Sequence, residues 1–344
     1  MDRAKLQDTA HAMVAPGKGI LAMDESTPTV AKRFEAVGIE NSDEQRRAYR
    51  SMLLGAEGLA QYIAGAILFD ETIRGTTIEG TPFPEVMVQQ GIIPGIKVDA
   101  GAKELALHPG EKVTEGLDKL RERLQEYRSL GARFCKWRAV ITIGEGLPSS
   151  ACIEANAHAL ARYAALCQEA DLVPIVEPEV LIDGDHTIET SYEVTARTQR
   201  AVFEQLYRQG VLFEGMVLKP SMVISGKQCP QQAGVEQVAE QTLRCLRQSV
   251  PAAVPGIAFL SGGQTELQAT QHLDAMNRMA GDLHVPWRLT FSYARALQNP
   301  ALSTWKGDSA NVEAARKALL HRARLNAVAS RGEYHADMEQ REAA

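Results

Sequence analysis

Eight short apolar runs recur along the chain: "GILAMD" (19–24), "YIAGAILFD" (62–70), "PGIKVD" (94–99), "FCKWRAV" (134–140), "LVPIVEPEV" (172–180), "GMVLKPSMV" (215–223), "GIAFLSG" (256–262) and "WRLTFSY" (287–293). Their near-continuous Val, Ile, Leu and Phe content, without strict alternation, predicts parallel strands covered on both faces. Between them lie longer stretches with apolar residues at helical spacing, at 43–61, 114–131, 153–170, 192–210, 235–249 and 311–330. Ser42 is placed to cap the first, with acids in its first turn, and Gly131 ends the second. Eight strands, each followed by helical material, predict an α/β fold: a (β/α)8 TIM barrel in one domain over residues 1–330. Residues 331–344 read as a mobile polar tail. An open doubly wound sheet is disfavoured, because no GxGxxG follows an early strand and the glycines of "GKGILAMD" precede theirs.

Polar positions break these runs at one recurrent place. Ionised residues stand at the C-terminal ends of the strands: Asp24 on the first, Lys97 and Asp99 on the third, Lys136 and Arg138 on the fourth. Glu177 and Glu179 follow on the fifth, Lys219 on the sixth, and Arg295 just after the eighth. Each pair is spaced i, i+2, so both members share one face of their strand. A single lysine of this kind is explained by its stem reaching to the rim; the same feature on most strands argues for a polar mouth at one end of the barrel, where such folds place their chemistry. The mouth is balanced to slightly cationic, which favours an anionic small molecule.

Composition narrows the partners. With 344 residues, 45% hydrophobic, the chain has ample material for a large core, and a net charge of −6 argues against general nucleic-acid binding. No signal-peptide pattern opens it, and no apolar segment approaches the roughly 20 residues of a membrane span, so neither a membrane nor a nucleic acid is expected as partner. Five widely spaced cysteines without a CxxC pair suggest buried, reduced thiols and a cytoplasmic protein. The eight histidines form no HxH or HxxxH pair, so no metal and no cofactor is called for.

Lys219 follows Gly-Met-Val-Leu and precedes Pro220, which lacks an N–H and helps end the strand at the mouth. A lysine becomes a nucleophile at neutral pH when desolvation or a neighbouring cation lowers its pKa. Such an amine condenses with a ketone to a Schiff base whose iminium draws electrons from an adjacent C–C bond. Glu177 and Glu179, on the neighbouring strand, are candidates for moving protons during dehydration, or for simply pairing with Lys136 and Arg138. "LSGGQ" (260–264) follows the seventh strand, where this fold commonly binds phosphate. Gly262 and Gly263 allow close backbone approach, Ser261 adds a hydroxyl and Arg295 a fork of donors. "DESTPTVAKR" (24–33) offers a second anion site, or only a helix cap, through Ser26, Thr29 and Arg33. Two such sites flanking a reactive lysine suggest a substrate phosphorylated at both ends.

"GKGILAMDES", "GIKVD", "CKWR", "VPIVEPEVLIDGDH", "LKPSMV", "FLSGGQ" and "LTFSYARALQ" occur in the order in which class I, metal-independent fructose-bisphosphate aldolases carry them, across residues 17 to 334, and the chain resembles that family. The resemblance implies reversible cleavage of fructose 1,6-bisphosphate to dihydroxyacetone phosphate and glyceraldehyde 3-phosphate. It implies Lys219 as the Schiff-base lysine, Glu177 as the acid/base of carbinolamine dehydration, and Asp24 as acceptor of the C4 hydroxyl proton. Lys136, Arg138 and Lys97 would orient substrate and tune the site, with Glu179 in the same proton network. Ser261, Gly262, Gly263 and Arg295 would bind one phosphate, with Ser26 and Arg33 near the other. A homotetramer is the family's expected assembly. The chain departs from the family pattern in Pro28 and Thr29, where Gly and Ser are expected, in Ala294 for Gly, and in ending without a tyrosine. Another lysine-dependent barrel, of transaldolase or deoxyribose-phosphate aldolase type, would not require both anion sites. A silent barrel scaffold would have lost some of the charged strand ends.

Overall fold

The computed structural model describes residues 1–340. The eight predicted runs form one closed, all-parallel barrel of β1 (Gly19–Met23), β2 (Ile63–Leu68), β3 (Ile93–Lys97), β4 (Phe134–Ile141), β5 (Val173–Val180), β6 (Val217–Leu218), β7 (Gly256–Phe259) and β8 (Arg288–Tyr293), with β1 pairing to both β2 and β8. Helices follow the strands and make the outer layer, so the fold is a single-domain (β/α)8 barrel.

Strand parity organises the interior. Outward residues such as Leu21, Met23, Cys135, Trp137, Val176 and Leu218 pack in the large core between strands and helices. Inward residues Ile20, Ala22, Ile67, Phe134, Val173, Ile175, Val217 and Ala258 form a second core, closed by Leu6, Ala10 and Met13 of the N-terminal helix Arg3–Met13. That helix lies under the N-terminal end of the barrel and keeps water from that side. Climbing two residues from each inward apolar position reaches the opposite mouth: Ala22 leads to Asp24, Phe134 to Lys136, Ile175 to Glu177, and Val217 to Lys219.

Several boundaries differ from the expected ones. The sixth run yields only Val217–Leu218 as strand. Beyond Pro220 the chain leaves the ladder, and its N–H groups bond helix side chains instead, Val223 N to Thr242 Oγ1 at 2.9 Å and Ile224 N to Ser191 Oγ at 3.2 Å. The helix expected over 43–61 stops at Leu54, where Gly55 caps it and a 3-10 turn, Leu59–Gln61, follows. Ser42 caps it as expected, its hydroxyl accepting from Gln45 N at 3.1 Å. The stretch at 114–131 is helical only over Leu120–Ser129, because Lys112–Thr114 pairs with Ala102–Glu104 in an antiparallel hairpin. Residues 331–340 stay mostly exposed but are anchored to the barrel at two points. Tyr334 is buried, its N–H bonds Asp274 Oδ1 at 2.8 Å, and Glu339 pairs with the buried Arg322 at 2.6 Å. An aromatic ring and a carboxylate that neutralises a buried guanidinium both favour docking over solvent. Residues 341–344 lie outside the described residues. All five cysteines are free and buried, and no helix among the described residues is long and apolar enough to cross a membrane.

Candidate active site

The C-terminal mouth of the barrel opens into a cavity of about 650 Å³. Asp24, Ser26, Arg33, Lys97, Lys136, Arg138, Glu177, Glu179, Lys219, Ser261, Gly262 and Arg295 all line it; of the predicted residues Gly263 alone does not. Barrel closure brings together side chains from β1, β3, β4, β5 and β6.

Lys219, Glu177, Lys136 and Asp24 form an unbroken chain of charge on the floor. Lys219 Nζ is 3.3 Å from Glu177 Oε1, Lys136 Nζ is 3.5 Å from Glu177 Oε2, and Lys136 Nζ is 2.7 Å from Asp24 Oδ2. Lys219, Glu177 and Lys136 are no more than 4% exposed and Asp24 is 9% exposed. Ionisable groups so deeply buried are tolerated only where each has a partner. Burial pushes the Asp24 carboxyl up, but Lys136, then Lys219 and Lys97, outweigh it and hold the pKa down at about 2. Burial likewise opposes the charge on Lys136, yet Asp24, Glu177 and Asp99 raise its pKa well above the usual lysine value. The two buried lysines therefore differ: Lys136 is clamped between two carboxylates as a fixed cation, whereas Lys219 has one, Glu177. Glu177 Oε2 accepts no well-aligned hydrogen bond among the described residues.

The flanks of the cavity are cationic and rich in donors. Lys97 Nζ pairs with Asp99 Oδ1 at 2.6 Å, and Asp99 Oδ2 also accepts from Arg138 N at 3.2 Å; Arg138 pairs with Glu179. Gly262 and Gly263 have φ of +54° and +91°, left-handed conformations that glycine adopts without strain. Arg295 begins the helix Arg295–Trp305, whose N-terminal dipole favours negative charge beside this turn. Opposite, Ser26 precedes the helix Thr27–Glu35. Its hydroxyl makes no capping bond but meets Thr29 Oγ1 at 3.1 Å, so the reading as a helix cap alone does not describe it. Pro28 occupies the first turn of that helix, where no N–H is needed, and Ala294 lines the cavity beside Arg295.

Glu25, Lys32 and Ser292 also line the cavity and were not anticipated. Burial raises the Glu25 pKa, but Arg50 and Arg33 overcome it; the carboxylate pairs with Arg33 and lies 2.7 Å from Arg50 Nη1. Arg33 also donates to Gln298 Oε1 and Asn299 Oδ1, each at 3.3 Å. Glu25 adjoins Asp24, but its partners lie on other elements, so no local pattern marked it. Ser292 had a signal: it follows Thr290 at i+2 on the inward face of β8, and its Oγ is buried at the cavity without a partner among the described residues. Among the described residues no group of three or more His, Cys, Asp or Glu is disposed to hold a metal ion.

Fold and mouth together define a class, that of barrel enzymes working through a buried amine. A family model described as fructose-bisphosphate aldolase class-I matches residues 5–344. The chain belongs to the class I fructose-bisphosphate aldolase family, lyases that act through a lysine Schiff base in glycolysis. It is 60% identical over 335 residues to a probable fructose-bisphosphate aldolase class 1 of Xanthomonas campestris, covering 97% of this chain and 99% of that one. It is 52% identical over 329 residues to a fructose-bisphosphate aldolase of Dictyostelium discoideum, covering 95% and 91%. The solved fructose-bisphosphate aldolase of Plasmodium falciparum superposes with a TM-score of 0.95 at 46% identity, covering 97% of this chain and 96% of that one.

Proposed function

We propose that this chain cleaves fructose 1,6-bisphosphate reversibly into dihydroxyacetone phosphate and glyceraldehyde 3-phosphate, with Lys219 as the nucleophile. The observation that carries this reading is the buried Lys219–Glu177–Lys136–Asp24 chain set between the helix N-termini at Ser26 and Arg295. Glu177, 3.3 Å away, first takes a proton from the Lys219 ammonium; the free amine attacks the C2 carbonyl, and Glu177 returns that proton to the carbinolamine hydroxyl, which leaves as water. The iminium accepts the electron pair of the C3–C4 bond as Asp24 takes the C4 hydroxyl proton, releasing the aldehyde. Asp24 suits this role because its depressed pKa keeps it ionised at neutral pH. The enamine then takes a proton at C3 from solvent while Asp24 gives up its own to solvent, and water hydrolyses the iminium to the ketone and free Lys219.

Lys136 holds both carboxylates in place, and its fixed charge stabilises oxyanion character at C2. Ser261, Gly262, Gly263 and Arg295 bind one phosphate; Ser26, Thr29 and Arg33, with Lys97 and Arg138 nearby, bind the other. Glu179 holds Arg138 in position. The family's tetramer and a cytoplasmic location belong to the same reading, and sedimentation equilibrium tests the first. The mechanism is tested by borohydride reduction with dihydroxyacetone phosphate and peptide mass mapping. The adduct falls on Lys219; an adduct on Lys136 or Lys97 refutes the assignment.

A further inference from the structure

We propose that Lys227 is a second, movable cation of the phosphate site at the Ser261–Gly263 turn, exchanging an ion pair with Asp183 for one with the bound phosphate. This rests on the reading above, in which that turn and Arg295 hold a phosphate.

Lys227 sits in the loop after β6, and its backbone is held firmly against the loop after β5. Gly226 N donates to His186 O at 2.8 Å, Lys227 N to Ile182 O at 2.9 Å, and Gln228 N to Gly184 O at 2.9 Å. Gln228 Oε1 accepts in return from Gly184 N at 2.7 Å. The two loops approach so closely that a Cβ at position 226 would lie 2.3 Å from Gly184 O, which glycine alone avoids. These main-chain bonds already join the loops, so the Lys227 side chain is not needed to do so.

Its ammonium instead reaches toward the phosphate turn. A methyl group on Gly263 would come within 2.9 Å of Lys227 Nζ and 3.5 Å of Arg295 Nη2. An ammonium and a guanidinium therefore converge on one turn. Two cations so placed repel one another unless an anion joins them. Asp183 partly serves that purpose: Lys227 Nζ is 3.2 Å from Asp183 Oδ1, with side chains 40% and 67% exposed. An exposed pair of this kind is weak and exchanges readily. A phosphate dianion bound to Gly262, Gly263 and Arg295 outcompetes one solvated carboxylate, because it carries more charge and more acceptor oxygens. The fixed backbone and four-carbon stem allow the head to move without loop motion.

The test compares Lys227→Gln and Asp183→Asn in the full chain. Steady-state kinetics are measured on fructose 1,6-bisphosphate, and inorganic phosphate binding is measured by calorimetry. Lys227→Gln raises KM and the phosphate Kd about tenfold, the scale of one charge-assisted contact, leaves kcat within about twofold, and flattens the salt dependence of kcat/KM. Asp183→Asn frees the ammonium and lowers both constants. Opposite shifts distinguish ligand binding from a structural tie between loops, which predicts that both variants weaken the site. Unchanged constants in Lys227→Gln, or a rise in Asp183→Asn equal to that in Lys227→Gln, overturn the inference. Calorimetry reads Lys227 without turnover, so failure of the aldol reading, seen as wild type that neither turns over nor traps an adduct, is separable from failure of this one.

Discussion

His272 lies outside the cavity, yet it anchors the Ser261–Gly263 turn from behind. It is 3% exposed on the helix Glu266–Leu283, and its Nδ1 is 2.6 Å from Gln264 Oε1. Gln264 Nε2 donates in turn to Ser261 O at 3.1 Å, so the imidazole N–H fixes the amide that fixes the turn. Burial holds the His272 pKa down to about 4, against an ordinary 6.5. A depressed histidine is neutral in the fold, and the unfolded chain binds its proton first as pH falls. Stability is therefore complete above pH 6.5 and is lost on descending toward pH 4. The pKa difference corresponds to about 3 kcal/mol, of which most has gone by pH 4.5. Urea unfolding of wild type and His272→Asn, at intervals from pH 7.5 to 4.5, isolates this contribution. His186 and His321, also depressed by burial, contribute the same slope to both proteins. Asn keeps a donor for Gln264, so the variant is close to wild type at pH 7.5 and loses about 2–3 kcal/mol less on acidification. His272→Leu strands the Gln264 oxygen, costs about 1–3 kcal/mol at every pH, and raises KM by loosening Ser261. Identical pH dependence in wild type and His272→Asn refutes the reasoning, because the ring then protonates in place without cost.

The floor of the cavity yields further tests. Lys219→Met abolishes both turnover and the borohydride adduct while leaving phosphate binding measurable by calorimetry; retained C–C cleavage refutes the mechanism. Glu177→Gln lowers kcat by about a hundredfold or more, with KM nearly constant, as expected for loss of proton transfer. Lys136→Met strands Asp24 in a dry site and costs about 3–5 kcal/mol in denaturant unfolding; adding Asp24→Asn restores much of this, and a double variant no more stable than Lys136→Met refutes the pairing. In wild type the depressed Asp24 pKa contributes about 2 kcal/mol above pH 3.8 that disappears as pH falls through about 2, and Asp24→Asn removes that acid-limb slope.

Much of this molecule was legible before folding. Continuous apolar runs marked the strands, because a barrel strand is buried on both faces. The i, i+2 charges of "KWR" and "EPE" marked the mouth, because strand parity is local and a charge sharing a face with Phe134 or Ile175 must point inward. Local chemistry also marked Ser42 as a cap and Gly262–Gly263 as a turn. What the one-dimensional pattern left open was partnership. Lys219 was singled out as the nucleophile by its apolar neighbours, but barrel closure alone set Asp24, from the end of β1, against Lys136 and left Lys219 with Glu177. Glu25 was silent because Arg33 and Arg50 reach it from two helices. The sixth strand shrank because Thr242 and Ser191, on helices, took the N–H groups a longer ladder would have used. The polar C-terminal stretch docked because Arg322, buried among helices, needed a carboxylate. Periodicity and turn chemistry act between neighbours in the chain, so sequence states them; the energy of a buried charge depends on what lies a few ångströms away in space, and only closure of the barrel chooses that.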